Sequence, residues 1–265
     1  MYKSLIYIFQ SKLIYGRKDK SNFLIHHKDK HGRNAIYLLF NFFGILIYIA
    51  CEKQGGIYLT YILSILIGYF AGCFQTSYIL VKQIKKTDIR SLGNGNAGAS
   101  NTTVSLGWKY GVLVGLLDIA KAVISVLLIR WIYSAALPAE ELIFLLYLNG
   151  FSVILGHNYP FFMGFKGGKG TASLVGMIFA INLNLGLLCL LTILLVTVIT
   201  DYIALGTIAL VITFLLSTVK LDYGSGPIII ALIITLLSIY KHLPNIVKIK
   251  KGEENGLRKS LKLKK

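Results

Sequence analysis

Long apolar runs alternate with short polar segments along most of the chain. Runs long enough, or nearly long enough, to cross a membrane lie at about 35–51, 57–81, 106–133, 140–156, 171–182, 183–201, 202–219 and 225–241. The runs are continuously apolar rather than alternating, and a helix satisfies its own backbone hydrogen bonds in hydrocarbon. The pattern therefore predicts an all-α integral membrane protein with eight candidate membrane helices, of which the fifth is short.

Composition and charge agree with a membrane protein and exclude an ordinary soluble domain. Hydrophobic residues make up 55% of the 265 positions and charged residues 15%, and the mean hydropathy is +0.68. The formal charge of +17 is concentrated in residues 1–34, in the loops at 82–109 and 166–169, and after residue 240. Such clusters are typical of a cytoplasmic face beside anionic lipid and not of a nucleic-acid groove.

The basic segments also predict how the chain is divided. Counting eight helices places every basic cluster on one side of the membrane, which the charge rule assigns to the cytoplasm. We predict a basic cytoplasmic arm over 1–34, an extra transmembrane helix with a short external loop over 35–56, a membrane-embedded domain over 57–241, and a cytoplasmic motif with a basic tail over 242–265.

Neither a metal site nor a cofactor is predicted. Cys51, Cys73 and Cys189 are scattered singly, which indicates small buried apolar residues rather than disulfides or metal ligands. The histidine-rich segment 26–31 lies in a basic, solvated arm, where we do not expect a specific metal site.

The first polar segment, residues 88–102, interleaves glycines with asparagines. Its G-x-G-x-x-G spacing is that of a dinucleotide site, but the segment follows a membrane helix and not a strand, which excludes that interpretation. Glycines allow successive backbone N–H groups to converge on an anion, and amide and guanidinium side chains add donors. The segment therefore predicts a phosphate site, with a flexible connector as the alternative. The candidate residues are Arg90, Gly93, Asn94, Gly95, Asn96, Gly98 and Asn101.

The second polar segment, residues 156–173, joins glycines to lysines just before an apolar helix. Backbone donors and the helix dipole favour an anion at such a position, so we predict a second phosphate cradle formed by Lys166, Gly167, Gly168, Lys169 and Gly170. The segment does not fit the Walker A pattern. In the alternative interpretation the two lysines only mark the cytoplasmic side. His157 taken alone indicates a structural role.

Two further polar features are a third segment near the C-terminus and a charged pair within a membrane helix. Residues 241–255 contain His242, Asn245 and Glu254 but, taken alone, are typical of a basic juxtamembrane tail. Asp118 and Lys121 lie within the run at 106–133 and three positions apart, so they share a helix face and can neutralise each other. Both a functional and a purely structural role for this pair stay open.

Together the three segments resemble the acyl-phosphate-dependent glycerol-3-phosphate acyltransferases of bacteria, the PlsY family. The matching stretches are "DIRSLGNGNAGASN" from Asp88, "GHNYPFFMGFKGGKGTAS" from Gly156 and "HLPNIVKIKKGEE" from His242, and the likeness covers about residues 62–258. Four positions depart from the family pattern, which has serine, threonine, arginine and often glycine there: Asn94, Ser100, Lys248 and Ala122. Residues 1–56 lie outside the likeness.

The resemblance implies a seven-helix bundle, here with one extra N-terminal transmembrane helix, in the bacterial cytoplasmic membrane. It implies transfer of a fatty acyl group from acyl phosphate to the 1-hydroxyl of sn-glycerol 3-phosphate, giving lysophosphatidic acid and phosphate on the cytoplasmic face. It implies Lys169, His242, Asn245 and Glu254 as catalytic residues and adds Ser100 and His157 to the phosphate-binding set.

Several alternatives stay open at the level of sequence. The general base is His242, its neighbour Glu254 or the phosphate of the donor. Because Asn94 cannot lend a hydroxyl proton, a diverged, inactive paralogue that binds glycerol phosphate or lipid head groups is the alternative function. The expected partners are acyl phosphate, glycerol 3-phosphate and membrane lipid, without nucleic acid. The oligomeric state is left open, a monomer included.

Overall fold

The apolar runs fold into a bundle of α-helices. A computed structural model describes residues 55–262, so the predicted arm over 1–34 and the predicted helix at 35–51 lie outside the described residues. In chain order the α-helices are α1 (Gly55–Cys73), α2 (Thr76–Lys85), α3 (Ala99–Leu106), α4 (Trp108–Tyr133), α5 (Ala139–Asn158), α6 (Thr171–Ile181), α7 (Leu183–Thr200), α8 (Ile203–Lys220), α9 (Ser225–Lys250) and α10 (Leu257–Lys262). Short 3-10 turns lie at Ile89–Ser91 and Phe161–Met163.

The described part of the chain contains 6 helical segments long and apolar enough to cross a membrane, with α1 and α2 together forming the first. Helix α6 is apolar but shorter, which is the short helix that the sequence predicts. The long helices carry many exposed leucine, isoleucine and valine side chains, for example Leu187, Leu191 and Val198 on α7. An all-α integral membrane architecture is thus confirmed.

The second predicted membrane helix is broken. The run at 57–81 forms two helices, α1 and α2, separated at Phe74 and Gln75. The break frees backbone carbonyls, which must find donors away from water. The Gln75 side-chain amide donates to the carbonyls of Gly72 (3.2 Å) and His157 (3.0 Å) and so ties the break to α5.

The last membrane helix is longer than its apolar run. Helix α9 continues to Lys250 instead of ending near 241, despite Pro244 within it. His242 and Asn245 therefore lie on a helix rather than in a tail, and their spacing of three residues places both side chains on one helix face. The first polar segment is likewise partly helical, because α3 begins at Ala99.

Small residues allow α1 and α5 to pack closely. A Cβ atom on Gly72 would lie 2.1 Å from the carbonyl oxygen of Val153, and one on Gly156 would lie 2.1 Å from that of Tyr69. Small residues at helix interfaces are the usual means of close approach in membranes, where apolar burial alone does not drive helices together.

Buried polar side chains join three helices in the interior. The Asn149 amide on α5 donates to the Ser64 carbonyl on α1 (2.8 Å), and its oxygen accepts from the Ser125 hydroxyl on α4 (2.9 Å). These two hydrogen bonds hold α1, α4 and α5 in fixed register. Cys73 and Cys189 are buried free thiols, as their isolated positions in apolar runs predict.

The predicted pairing of Asp118 with Lys121 is confirmed. The two charged groups lie 2.8 Å apart and are almost completely buried. The Lys121 ammonium also donates to the carbonyls of Gly72 (3.1 Å) and Phe74 (2.7 Å), which are the carbonyls exposed by the break after α1. The pair therefore connects α4 to the break between α1 and α2.

We expect Lys121→Met to lower the free energy of unfolding by about 3–5 kcal/mol, because it leaves the Asp118 carboxylate buried without its partner. The measurement is denaturant unfolding of the full chain in detergent micelles. The matched control is the double variant Asp118→Asn/Lys121→Met, which should recover the part of the loss that comes from the unpaired carboxylate, whereas the carbonyls of Gly72 and Phe74 still lack their donor. Equal stability of the single variant and the wild type would contradict the assignment.

Candidate active site

The three polar segments meet at one cavity of about 370 Å³ among the described residues. Its polar side chains come from all three segments and from helices α4 and α7: Asn94, Asn96, Ser100, Asp118, His157, Lys169, Thr171, Thr197, His242, Asn245 and Glu254. Its apolar wall consists mainly of residues from α6, α7 and α8: Val175, Leu190, Ile193, Leu194, Val198, Ile203 and Ala204. The cavity thus has a polar side and a hydrocarbon-like side.

Asn101 organises the first loop from inside. Its side chain is completely buried, and its amide nitrogen lies within hydrogen-bond distance of the carbonyls of Ile89 (3.1 Å), Leu92 (3.0 Å) and Asn96 (2.8 Å). Its oxygen accepts from the backbone N–H of Asn94 (2.6 Å). The structure therefore places Asn101 beneath the cavity, where it shapes the loop and does not line the site.

Arg90 joins the first loop to the second. Its guanidinium forms an ion pair with Asp88 (2.7 Å) and donates to the carbonyls of Met163 (2.6 Å) and Lys166 (3.4 Å). The hydrogen-bonded guanidinium holds the pKa of the Asp88 carboxyl below its usual range, and the carboxylate in turn raises the pKa of Arg90. This geometry gives Arg90 a bracing role, and its predicted contact with a phosphate stays a prediction.

The glycines of the second loop serve close packing. The N–H groups of Gly167 and Gly168 donate to the carbonyls of Asn158 (3.1 Å) and His157 (3.0 Å) at the end of α5, so they are already occupied. A Cβ on Gly168 would lie 2.0 Å from His157 Nε2. Gly170, with φ +83°, lines the cavity where α6 begins.

Lys169 links the second loop to the third motif. Its ammonium contacts the side-chain oxygen of Asn245, and the Asn245 amide donates to Glu254 Oε1 (2.7 Å). Burial lowers the pKa of Lys169 to about 8, even though Glu254 opposes the shift. The second carboxylate oxygen of Glu254 is buried without a hydrogen-bond partner in the described part of the chain. The cavity therefore offers a cation beside a free acceptor.

The two histidines of the cavity are held in opposite tautomers, as inferred from their partners. His242 Nδ1 lies 2.9 Å from the Ser238 carbonyl, which only accepts, so Nδ1 carries the proton and Nε2 is the free base. His157 Nδ1 lies 2.9 Å from the Lys121 ammonium, which donates, so Nε2 carries the proton. His242 can thus accept a proton, whereas His157 can donate a hydrogen bond.

The cavity brings together ten of the predicted site residues. Those that line it are Asn94, Asn96, Gly98, Ser100, His157, Lys169, Gly170, His242, Asn245 and Glu254. Those that do not are Arg90, Gly93, Gly95, Asn101, Lys166, Gly167 and Gly168. Among residues 55–262, no three histidine, cysteine or acidic side chains are grouped to hold a metal ion. The lysine and amide groups suit an anion instead.

Sequence reasoning missed the apolar wall and the brace on Arg90. The wall residues on α7 look like any other residues of a membrane helix, so their pattern carries no signal of a cavity. Asp88 has a recognisable signal, because its position two residues before Arg90 is that of an Asx turn. Its carboxylate accepts from the Arg90 backbone N–H over 2.9 Å.

Comparison with known proteins agrees with this fold. A family model described as glycerol-3-phosphate acyltransferase matches residues 62–252. "Glycerol-3-phosphate acyltransferase 1" of Oceanobacillus iheyensis is 43% identical over 198 residues, which cover 74% of this chain and 95% of the relative. The "Glycerol-3-phosphate acyltransferase" of Clostridioides difficile is 35% identical over 75% of this chain and 96% of the relative.

Two crystal structures of PlsY, an integral membrane glycerol 3-phosphate acyltransferase, are similar to the described fold. The glycerol 3-phosphate form is 33% identical with a TM-score of 0.67 and covers 74% of this chain and 94% of that chain. The lysophosphatidic acid form is 32% identical with a TM-score of 0.65, over 76% and 98% respectively.

The fold and the cavity define a multi-pass, all-α membrane enzyme of the acyltransferase class. The chain belongs to the glycerol-3-phosphate acyltransferase family.

We expect Asn101→Ala and Asn101→Asp to lower turnover by more than about 100-fold, because the loss of several buried hydrogen bonds costs at least a few kcal/mol. Aspartate has the shape of asparagine but cannot donate to the three carbonyls, so it should not rescue the loop. The assay is acyl transfer by detergent-purified protein, with membrane insertion checked by fractionation. The control is Ser91→Ala, a substitution of an exposed side chain in the same polar segment. Wild-type turnover in Asn101→Asp would refute the role of the hydrogen bonds that the amide nitrogen donates.

Proposed function

We propose that the chain transfers a fatty acyl group from an acyl phosphate to the 1-hydroxyl of sn-glycerol 3-phosphate, on the cytoplasmic face of the bacterial plasma membrane. The products are lysophosphatidic acid and inorganic phosphate. One observation carries the proposal: a single cavity joins Lys169 and a set of amide groups to a wall of aliphatic side chains. Both substrates carry a phosphate, and only the donor needs the apolar wall.

The polar side of the cavity suits phosphate groups. Lys169 is half-buried next to Asn245, and Asn94, Asn96 and Ser100 line the same region. Buried, preorganised donors stabilise anionic charge more strongly than solvated donors do. Lys169 therefore offsets the repulsion between the two substrates while it helps to hold them side by side.

The third motif is suited to activating the hydroxyl group. In the proposed step the hydroxyl oxygen attacks the acyl carbon, the bond from that carbon to the phosphate oxygen breaks, and the phosphate leaves with the bonding electrons. His242 is assigned to accept the hydroxyl proton, because its Nε2 has the free lone pair. Glu254, with one unpartnered buried oxygen, is assigned to accept a hydrogen bond from the glycerol moiety.

The apolar wall suits the acyl chain. Leu190, Ile193, Leu194 and Val198 line the cavity along α7. Leu194 and Val198 are also more than half exposed on the helix surface, so the wall is continuous with the lipid-facing side. Each buried methylene of a fatty chain contributes about 0.8 kcal/mol, which favours a donor with a long chain.

The side of the membrane follows from the basic residues around the site. Lys82 and Lys85 end α2, and Lys248 and Lys250 end α9, next to the loops that form the cavity. Positive residues that flank membrane helices are characteristic of the cytoplasmic side. This charge pattern supports a cytoplasmic active site, where both phosphorylated substrates are soluble or accessible.

The direct test is phosphate release by the purified full chain in detergent, given palmitoyl phosphate with and without glycerol 3-phosphate. We expect release that depends on glycerol 3-phosphate, formation of lysophosphatidic acid, and no turnover with palmitoyl-CoA. Lys169→Ala is the matched inactive control. No turnover from folded wild-type protein would favour the inactive paralogue, and equal use of the thioester would refute the assignment of the donor.

The pH dependence tests the role of Lys169. Its pKa of about 8 means that the side chain is cationic below that pH and neutral above it. We therefore expect kcat/KM to fall as the pH rises through about 8, because the phosphate loses its cationic partner. Lys169→Arg should keep part of the activity and move the decline to higher pH, since arginine stays charged. A flat profile from pH 7 to pH 9, measured by phosphate release, would contradict this role.

A further inference from the structure

The end of the third motif and the residues after it fold back onto the end of α7. We call residues 253–260 the strap. The backbone N–H of Leu257 donates to the Asp201 carbonyl (2.7 Å), and that of Arg258 donates to Asp201 Oδ1 (2.8 Å). The Arg258 guanidinium donates to the Val198 carbonyl (3.1 Å). Three hydrogen bonds thus fasten the strap to the last turn of α7 and the residue after it.

Asp201 has a backbone conformation that normally favours glycine. Its φ of +71° lies in the left-handed region, and its N–H caps α7 by donating to the Thr197 carbonyl (2.8 Å). A glycine would make that cap without strain. The carboxylate instead serves the strap: Gly256 packs so closely that a Cβ there would lie 2.0 Å from Asp201 Oδ2. We call this close contact between the Asp201 carboxylate and Gly256 the latch.

The latched strap contributes to both sides of the cavity. Glu254 accepts from Asn245 on the polar side, and Leu257 lines the cavity together with Val198. Apart from Glu254, the strap residues that make these contacts lie outside the three motifs. The match to the family model ends at residue 252. The position of Leu257 depends on Asp201 through two bonds. Its own N–H donates to the Asp201 backbone carbonyl, and the N–H of the next residue, Arg258, donates to the Asp201 carboxylate, which is the bond that the side chain supplies.

We propose that Asp201 is a positioning residue for the acyl donor, acting through Leu257. The inference rests on the proposed function. With the latch closed, Leu257 extends the aliphatic wall at Val198, next to the polar side, and so covers the part of the acyl chain nearest the reacting carbonyl. With the latch open, that part of the chain is exposed to water, and the donor binds more weakly.

The test compares Asp201→Gly with Asp201→Asn in steady-state kinetics of the full chain. Glycine keeps the left-handed backbone but loses the side-chain acceptor, whereas asparagine keeps both the oxygen and a tolerance for that conformation. We expect Asp201→Gly to raise KM for palmitoyl phosphate about tenfold, with little change in KM for glycerol 3-phosphate. The thermal midpoint in detergent should stay equal or rise, and Asp201→Asn should behave like the wild type.

A second variant and a readout independent of turnover separate the latch from the reaction. Gly256→Ala disturbs the latch from the strap side, so it should also raise KM for the donor. Trypsin cleavage after Arg258 and Lys259, followed by intact mass, should be faster in both latch variants than in the wild type. An unchanged donor KM in Asp201→Gly would overturn the proposal. If the wild type forms no lysophosphatidic acid, the proposed function fails with the donor role, and equal cleavage rates would overturn the latch itself.

Discussion

The Lys121 ammonium is the contact on which the geometry of the bundle interior depends. It lies within hydrogen-bond distance of the Asp118 carboxylate, two carbonyls at the break after α1, and His157 Nδ1. A carbonyl freed by a broken helix has no water to bind within a membrane, so a buried donor is required there. The same donor fixes the tautomer of His157, which faces the cavity. A structural requirement of the broken helix and the orientation of a cavity histidine thus depend on one residue.

The loops around the cavity are braced by one another rather than by substrate. Arg90 reaches from the first loop to carbonyls of the second, Asn101 fills the first loop from beneath, and Lys169 in the second loop contacts Asn245 on α9. Polar groups that are satisfied within the protein hold their positions without a ligand, which is the basis of electrostatic preorganisation. In the proposed reaction, Arg90 and Asn101 only shape the site, whereas Lys169 both braces the loops and contacts the substrates.

The sequence predicts the helices and the convergence of the motifs, because both follow from apolar length and from the side on which each loop lies. It does not predict the break at Phe74 and Gln75, since no glycine or proline stands there and the donors that stabilise it come from α4 and from a glutamine side chain. It also ends α9 too early. The motif residues His242 and Asn245 are polar but lie on a helix face directed into the cavity, which an apolar run cannot reveal. The wall of α7 and the latch at Asp201 depend on tertiary packing, so the local pattern carries no signal for them.

The departure at Asn94 is explained by the same separation of roles. What the first loop needs from this position is its backbone N–H, which donates to the Asn101 side-chain oxygen, and any residue except proline supplies that group. The side chain is therefore independent of the loop conformation, and Asn94 lines the cavity. A serine there would provide one hydroxyl donor, whereas the amide provides two N–H donors. In the mechanism proposed above the proton is taken by His242, so position 94 has only to hold a phosphate, and an asparagine meets that requirement.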